Sequence, residues 1–229
     1  GTSALRNNKQ SQENVGLGLN AGYYFSGTGA GQIGGNVFLG SYAGRGATTG
    51  ATGQFNNVMG YHALEKFTTA NTNVAIGDYA MQENLSGTES VAIGTQAYRN
   101  NKGTGLQSVA VGAFALAADT STGLNTAVGG FAASANTTGN ANTAIGSSSL
   151  PQNTTGAFNT AVGQAALFSH LKNNSNVAVG SNAMQNDTTG TNNTAVGTSA
   201  LFLTVMVPAI LQLGAMPETS TRLVPITLC

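Results

Sequence analysis

Charge is scarce in this sequence. Eight basic and eight acidic side chains among 229 residues give 7% charged and a net charge of zero, where an ordinary soluble domain carries about a quarter. Without a basic excess there is no electrostatic footprint for nucleic acid or for an anionic membrane. Tryptophan is absent, and there are four prolines and one cysteine. A lone cysteine forms no internal disulfide and supplies no Cys-based zinc site. Apolar residues still make up 41%, so this is not the high-charge, low-hydrophobicity composition of a disordered chain. What is plentiful is glycine, 32 residues of it, and its placement is regular.

Segments of the type Asn/Ser–Val/Thr–Ala–Val/Ile–Gly, aligned on the last residue, pick out Gly18, Gly40, Gly60, Gly77, Gly94, Gly112, Gly129, Gly146, Gly163, Gly180 and Gly197. The first two spacings are 22 and 20, and the rest are 17 or 18. Gly1 stands 17 before Gly18, so the chain opens inside a repeat and reads as a fragment or a processed product. Counted from this motif glycine, each column has a physical reading. The residue just before it is always large and apolar, and Val or Thr stands two residues earlier in most repeats. That alternation is a short β-strand with one face inward. It predicts one buried column of Ile76, Ile93, Val111, Val128, Ile145 and Val162. Four before the glycine stands Asn or Ser, a candidate side-chain amide ladder along the stack. Three after it comes a small residue, then usually an apolar one such as Leu64, Met81 or Leu116.

A unit of strand, glycine corner, short apolar segment and Thr/Asn/Gly turn cannot bury its apolar face alone, so stacked neighbours must complete the core. The expected fold is all-β: a parallel β-solenoid over residues 1–202, about twelve coils of ~17 residues with strands about 4.8 Å apart. A helical repeat fails because Gly, Thr, Asn and Val are poor helix formers. Ala75, Ala92, Ala110, Ala127, Ala144, Ala161, Ala178 and Ala195 form the column two before the glycine. By alternation these alanines point away from the interior, as a flat stripe suited to close self-association, and they are the candidate subunit interface.

At these residues, as in Ser90–Val91–Ala92–Ile93–Gly94 and Asn159–Thr160–Ala161–Val162–Gly163, the sequence resembles the β-roll head repeats of trimeric autotransporter adhesins and related repeats of bacteriophage tail fibres. The resemblance covers residues 1 to about 202, with repeats longer than those of the usual adhesin head. It implies a left-handed β-roll, a homotrimer, and an extracellular role in attachment to a host-surface receptor or glycan, on a virion fibre or a bacterial cell surface.

Nothing in the pattern assembles catalytic chemistry, a cofactor site or a metal site. His62 and His170 read as surface or rim histidines, and Asp78, Asp119 and Asp187 as turn or surface residues in different columns, which makes no acid–base pair. Gly31–Gln32–Ile33–Gly34–Gly35 has a superficial likeness to a phosphate loop but lacks its Lys–Ser/Thr ending. An enzyme acting on polysaccharide would need a carboxylate pair. The longer inserts, 21–34 and 41–55, are rich in glycine and aromatics: Tyr23, Tyr24, Phe25, Tyr42 and Phe55. They are candidate receptor-contact loops on a rigid scaffold, set against the plainer role of covering the rod end. The alternative function is an ice- or crystal-binding solenoid with a flat Thr/Ala face. Thr126, Thr143, Thr160 and Thr194 would supply it, but Val177 interrupts the column and alternation sends these threonines inward.

The repeat stops after Phe202. Leu203–Met216 is apolar but shorter than the about 20 residues of a membrane helix, and Pro208 would kink it, so no membrane insertion is expected. Residues 203–229 read instead as an out-of-frame continuation of the repeat. Read one nucleotide earlier, the single Met codon at Met206 and Met216 forces glycine in place of Val207 and alanine in place of Pro217. Those are the columns seven before and three after Gly214, where the repeat carries Gly and Ala. On this reading the tail forms no regular coil of its own and Cys229 has no designed role. Sequencing the coding DNA tests it: codons that cannot spell the restored repeat would exclude the frameshift.

Overall fold

The computed structural model describes residues 1–8, 11–27, 32–48, 50–102, 107–202 and 211–214. The strands are β1 (Ser11–Gln12), β2 (Val15–Leu17), β3 (Gln32–Ile33), β4 (Val37–Leu39), β5 (Asn57–Met59), β6 (Val74–Ile76), β7 (Val91–Ile93), β8 (Val109–Val111), β9 (Thr126–Val128), β10 (Thr143–Ile145), β11 (Thr160–Val162), β12 (Val177–Val179), β13 (Thr194–Val196) and β14 (Leu211–Leu213). One twelve-stranded sheet runs from β2 through β4 to β14 in chain order. Each strand pairs in parallel with the next at the repeat register, Ala144 beside Ala161 and Ile145 beside Val162. The chain is a parallel β-solenoid. β1 and β3 form a separate two-stranded sheet within the long N-terminal inserts, which places Gln32–Ile33 of the glycine-rich segment in a strand.

The motif glycine sets the corner of each coil. Its φ lies near +130°, as at Gly146 (+129°) and Gly163 (+131°), where L side chains rarely go. A Cβ on Gly146 would stand 2.6 Å from the carbonyl carbon of Gly163 in the next coil. The corner amide in turn donates to the preceding coil, Gly146 N to Val128 O at 2.7 Å. Residues two and four past the corner adopt left-handed φ whatever their identity, for example Ser148 (51°) and Leu150 (50°).

The amide column lies inside, as expected. Asn142 donates its backbone N–H to Asn125 Oδ1 (2.9 Å) and its Nδ2 to Gly156 O (2.8 Å), and Asn159 repeats the pattern one coil on. Ser90 and Ser108 interrupt it.

The strand faces are the reverse of the expected ones. Ala75, Ala92, Ala110, Ala127, Ala144, Ala161, Ala178 and Ala195 are all fully buried within the single chain. They are core, so they cannot be a subunit interface. Ile76, Ile93, Val128 and Ile145 are 36–40% exposed, and Val111 and Val162 are half-buried. The physical reason is the thinness of the coil. The column four after the glycine (Leu64, Met81, Leu116, Leu150, Leu167) fills the interior from the opposite wall and leaves room for only a small side chain on the strand, alanine in most coils and Val58 in one. Hydrophobicity alone does not fix the phase of a three-residue strand, and a one-residue slip exchanges its faces.

Phe38 and Gly44 make the complementarity explicit. Phe38 takes the alanine position of its coil, and Gly44 and Gly22 replace the large residue of the facing column. A Cβ on Gly44 would collide with the Phe38 ring, and one on Gly22 would approach Phe38 Cδ2 to 2.8 Å. Phe25 and Phe67 complete the cluster, with centroids 6.0 and 5.9 Å from Phe38.

In the tail, β14 continues the ladder, Val196 beside Leu213, and Gly214 takes φ +100° in the corner register. A backbone ladder accepts any sequence able to extend, and Gly214 falls on the corner; three residues of strand are not the regular coil whose absence the sequence predicts. Residues 203–210 and 215–229, with Cys229, lie outside the described residues.

Phe38→Ala should cost about 3–5 kcal/mol by opening a cavity, and Gly44→Leu alone should be as damaging by overpacking. The double variant restores the usual Ala/Leu pair and should recover most of the loss. A double-mutant cycle by chemical denaturation measures this coupling.

Candidate functional site

Stacking puts equivalent residues of successive coils side by side, so any surface feature becomes a ladder. On the N-terminal coils, two chemically distinct ladders adjoin. The column two past the corner carries Tyr42, His62 and Tyr79 as parallel rings, with centroids 4.6 and 5.5 Å apart and interplanar angles of 13° and 11°. Phe114 and Phe131 stack in the same column farther along, at 5.0 Å and 5°. Left-handed backbone at this position turns each ring outward along the rod.

Three residues on, a polar ladder runs Arg45–Glu65–Gln82–Arg99. Arg45 Nη1 donates to Glu65 Oε1 (3.2 Å), Gln82 Nε2 to Glu65 Oε2 (2.9 Å), and Arg99 Nε to Gln82 Oε1 (3.3 Å). His62 joins the two ladders: its Nδ1 lies 2.7 Å from Glu65 Oε2. Burial pushes the Glu65 carboxyl up, but Gln82, His62 and Arg45 outweigh this, and its pKa stands below the usual carboxylate value. For Arg45, burial works against the charge, while bonding to Tyr24 and Glu65 raises its pKa. Its guanidinium also lies 5.2 Å from the Tyr24 ring and 5.5 Å from that of Tyr42. This is a hydrogen-bonded polar surface with aromatic edges and faces. It suits adsorption of an uncharged polar ligand better than proton transfer.

The five expected contact residues do not act together. Tyr23 and Tyr24 are half-buried and edge-on to each other at 4.6 Å, and Tyr42 belongs to the stacked ladder. Phe55 is 50% exposed, with a ring that a Cβ on Gly35 would touch. Phe25 is fully buried against Phe38 and Phe67, which removes it as a contact residue. Tyr61, His62 and Tyr79 went unrecognised as part of this surface, although counting from Gly60 and Gly77 places them in adjoining columns.

A second polar column lies in the interior, seven past the corner: Asn84, Asn101, Asp119, Asn136, Asn153, His170 and Asp187, all buried. Asp119 and Asp187 therefore share a column, and His170 is not on the surface, contrary to expectation; the 17-residue count brings all three to the same interior wall. Asp119 accepts from Ser121 N (2.8 Å), Asn125 Nδ2 (3.1 Å) and Asn136 Nδ2 (3.2 Å), yet burial keeps its pKa above the carboxylate norm. His170 Nε2 lies 2.9 Å from Asn173 O, while its Nδ1 has no partner. Burial holds this imidazole below its ordinary pKa. Among the described residues, no group of three or more His, Cys, Asp or Glu could hold a metal ion, and no helix is long and apolar enough to cross a membrane.

A histidine with a depressed folded-state pKa is neutral in the rod and protonates more readily unfolded. Stability should therefore fall as pH drops below the ordinary value of about 6.5. His170→Asn places in this coil the residue found at Asn136 and Asn153, and should remove that part of the decline. Thermal unfolding of both proteins between pH 7 and pH 5 measures it; equal pH dependence would show that His170 is not the group responsible.

Compared with known protein families, with curated proteins and with solved structures, the chain has no match.

Proposed function

We propose that the chain is a segment of an adhesive fibre: an extracellular rod of three identical copies, on a virion tail or a bacterial surface, presenting attachment residues on its N-terminal coils. The observation that carries this is the outer face of the long sheet. Ile76, Ile93, Val128, Ile145 and Val196 form an unbroken rail with the other residues of their column, each of these five 36–40% exposed, beside the parallel column of Val74, Val91, Thr126 and Thr143. Parallel sheets are normally covered on both faces, and an apolar strip running the length of a rod is an association surface. Identical strips around a common axis cover one another in a closed ring. Three copies agree with the resemblance to adhesin heads and tail fibres. The interface is thus the Val/Ile rail, not the alanines. The rod needs no cofactor and performs no catalysis in this reading; its target is a receptor or glycan on a host surface.

One observation favours the second reading. Thr126, Thr143, Thr160 and Thr194 sit half-exposed on the outer face, not inward as expected, so Thr and Val/Ile columns lie side by side as they would on an ice- or crystal-binding plane. That function needs the face open, whereas a fibre needs it covered.

Light scattering separates the two. The wild-type chain should be a trimer in mild buffer, and Ile145→Glu should yield a folded monomer. Ala161→Glu should instead unfold the coils around it, because burying an unpaired carboxylate costs several kcal/mol. A monomeric wild type that retards ice growth would overturn the fibre reading.

A further inference from the structure

Tyr61 stands one residue past the corner of its coil, beside the Tyr42–His62–Tyr79 ladder. Its plane is perpendicular to all three rings, at 87°, 80° and 89°. Its centroid is 4.1 Å from that of His62. Two rings lying side by side, edge to edge, would overlap at that distance, so Tyr61 lays its face across the edges of the ladder. Edge-to-face contact is the favoured aromatic geometry, and it fixes the ring from beneath. The opposite face looks outward: Tyr61 is 44% exposed, and its plane runs along the rod because the ladder rings stack along the rod.

The neighbours of this platform in its own column are polar. Ser41 precedes it by one coil and Asp78 follows it, with Asp78 Oδ1 accepting the Tyr61 backbone N–H at 3.0 Å. Exposed Thr95 comes one coil further. Rungs about 4.8 Å apart therefore present a hydroxyl, a flat aromatic face, a carboxylate and a second hydroxyl in a line.

We infer that Tyr61 is the stacking platform of a carbohydrate site that takes a neutral, gluco-configured pyranose chain running along the rod. The inference rests on the adhesive reading and names its ligand class. A pyranose with all ring substituents equatorial has two flat C–H faces, one of which stacks on the tyrosine, while its rim hydroxyls lie level with Ser41 and Asp78. The Asp78 carboxylate accepts hydroxyl hydrogens and disfavours acidic sugars.

The probes are cellohexaose and chitohexaose, added to the full chain and followed by saturation-transfer NMR. Stacking on one face predicts strong transfer to one axial set of the bound sugar, H1, H3 and H5 or H2 and H4, and weak transfer to the other. Tyr61→Ala should weaken binding at least tenfold with the unfolding temperature nearly unchanged, and Tyr61→Phe should retain it. No transfer to either sugar, or equal transfer with Tyr61→Ala, overturns the site. Printed arrays of glycans and of extracellular-matrix proteins separate the two levels of the argument. Attachment of wild-type chain to protein spots alone overturns the sugar site and leaves the adhesive reading standing, whereas attachment to nothing overturns both.

Discussion

Everything in this rod follows from how closely successive coils approach at the motif glycine. The corner backbone of one coil rests on the corner backbone of the next, with no room for a Cβ between them, as at Gly146 and Gly163. That contact brings the flanking strands within hydrogen-bonding range and locks their register. From the register come the amide ladder inside, the apolar rail outside and the aromatic stack beyond the corner. A side chain at the corner would disturb all of these at once, because they share one spacing.

The columns were legible in the sequence and their direction was not. Glycine, asparagine and alanine recur at fixed distances, so the solenoid, its coil length and its inner amide ladder could be read directly. Which strand face turns inward depends on what arrives from the opposite wall. Alternation in Thr–Ala–Val is equally consistent with either phase, and the usual preference for large apolar residues inside points to the wrong one. Only the capacity of the interior decides: Leu150 or Leu167 already occupies it, so the strand contributes Ala144 or Ala161. A signal was present at the exception, where Phe38 in the alanine column coincides with Gly44 in the leucine column.

The candidate site was legible as a region but not as a surface. The sequence places its candidate contact aromatics in the N-terminal inserts, yet Phe25 belongs to the core, and the exposed Tyr61 lies outside those inserts. Whether an aromatic stands outside depends on its distance from the corner, and the inserts upset a count made from a neighbouring repeat. The interior wall with Asp119, His170 and Asp187 was missed because ionisable residues are expected outside. In a coil whose inner polar positions are amides, a carboxylate or an imidazole can take an asparagine position, at the cost of an altered pKa and an orphaned ring nitrogen.

The left-handed residues carry a consequence for how such a rod comes to exist. Apart from Gly22 and Gly44, positions two and four past the corners hold side chains as varied as Leu, Phe, Tyr, His, Gln and Ser at φ values near +50° to +60°, each unfavourable for an isolated L-residue by roughly 1–2 kcal/mol. An isolated coil has no means of maintaining that conformation. A coil laid against a finished one does, because amides such as Ser148 N and Leu150 N bond to the coil before and the coil after. Formation of the rod is therefore a growth process: a slow, improbable first nucleus, then rapid addition of coils templated by an existing end. A coil at the end of a growing rod, bonded on one side alone, is the first to fray until the next is laid on it.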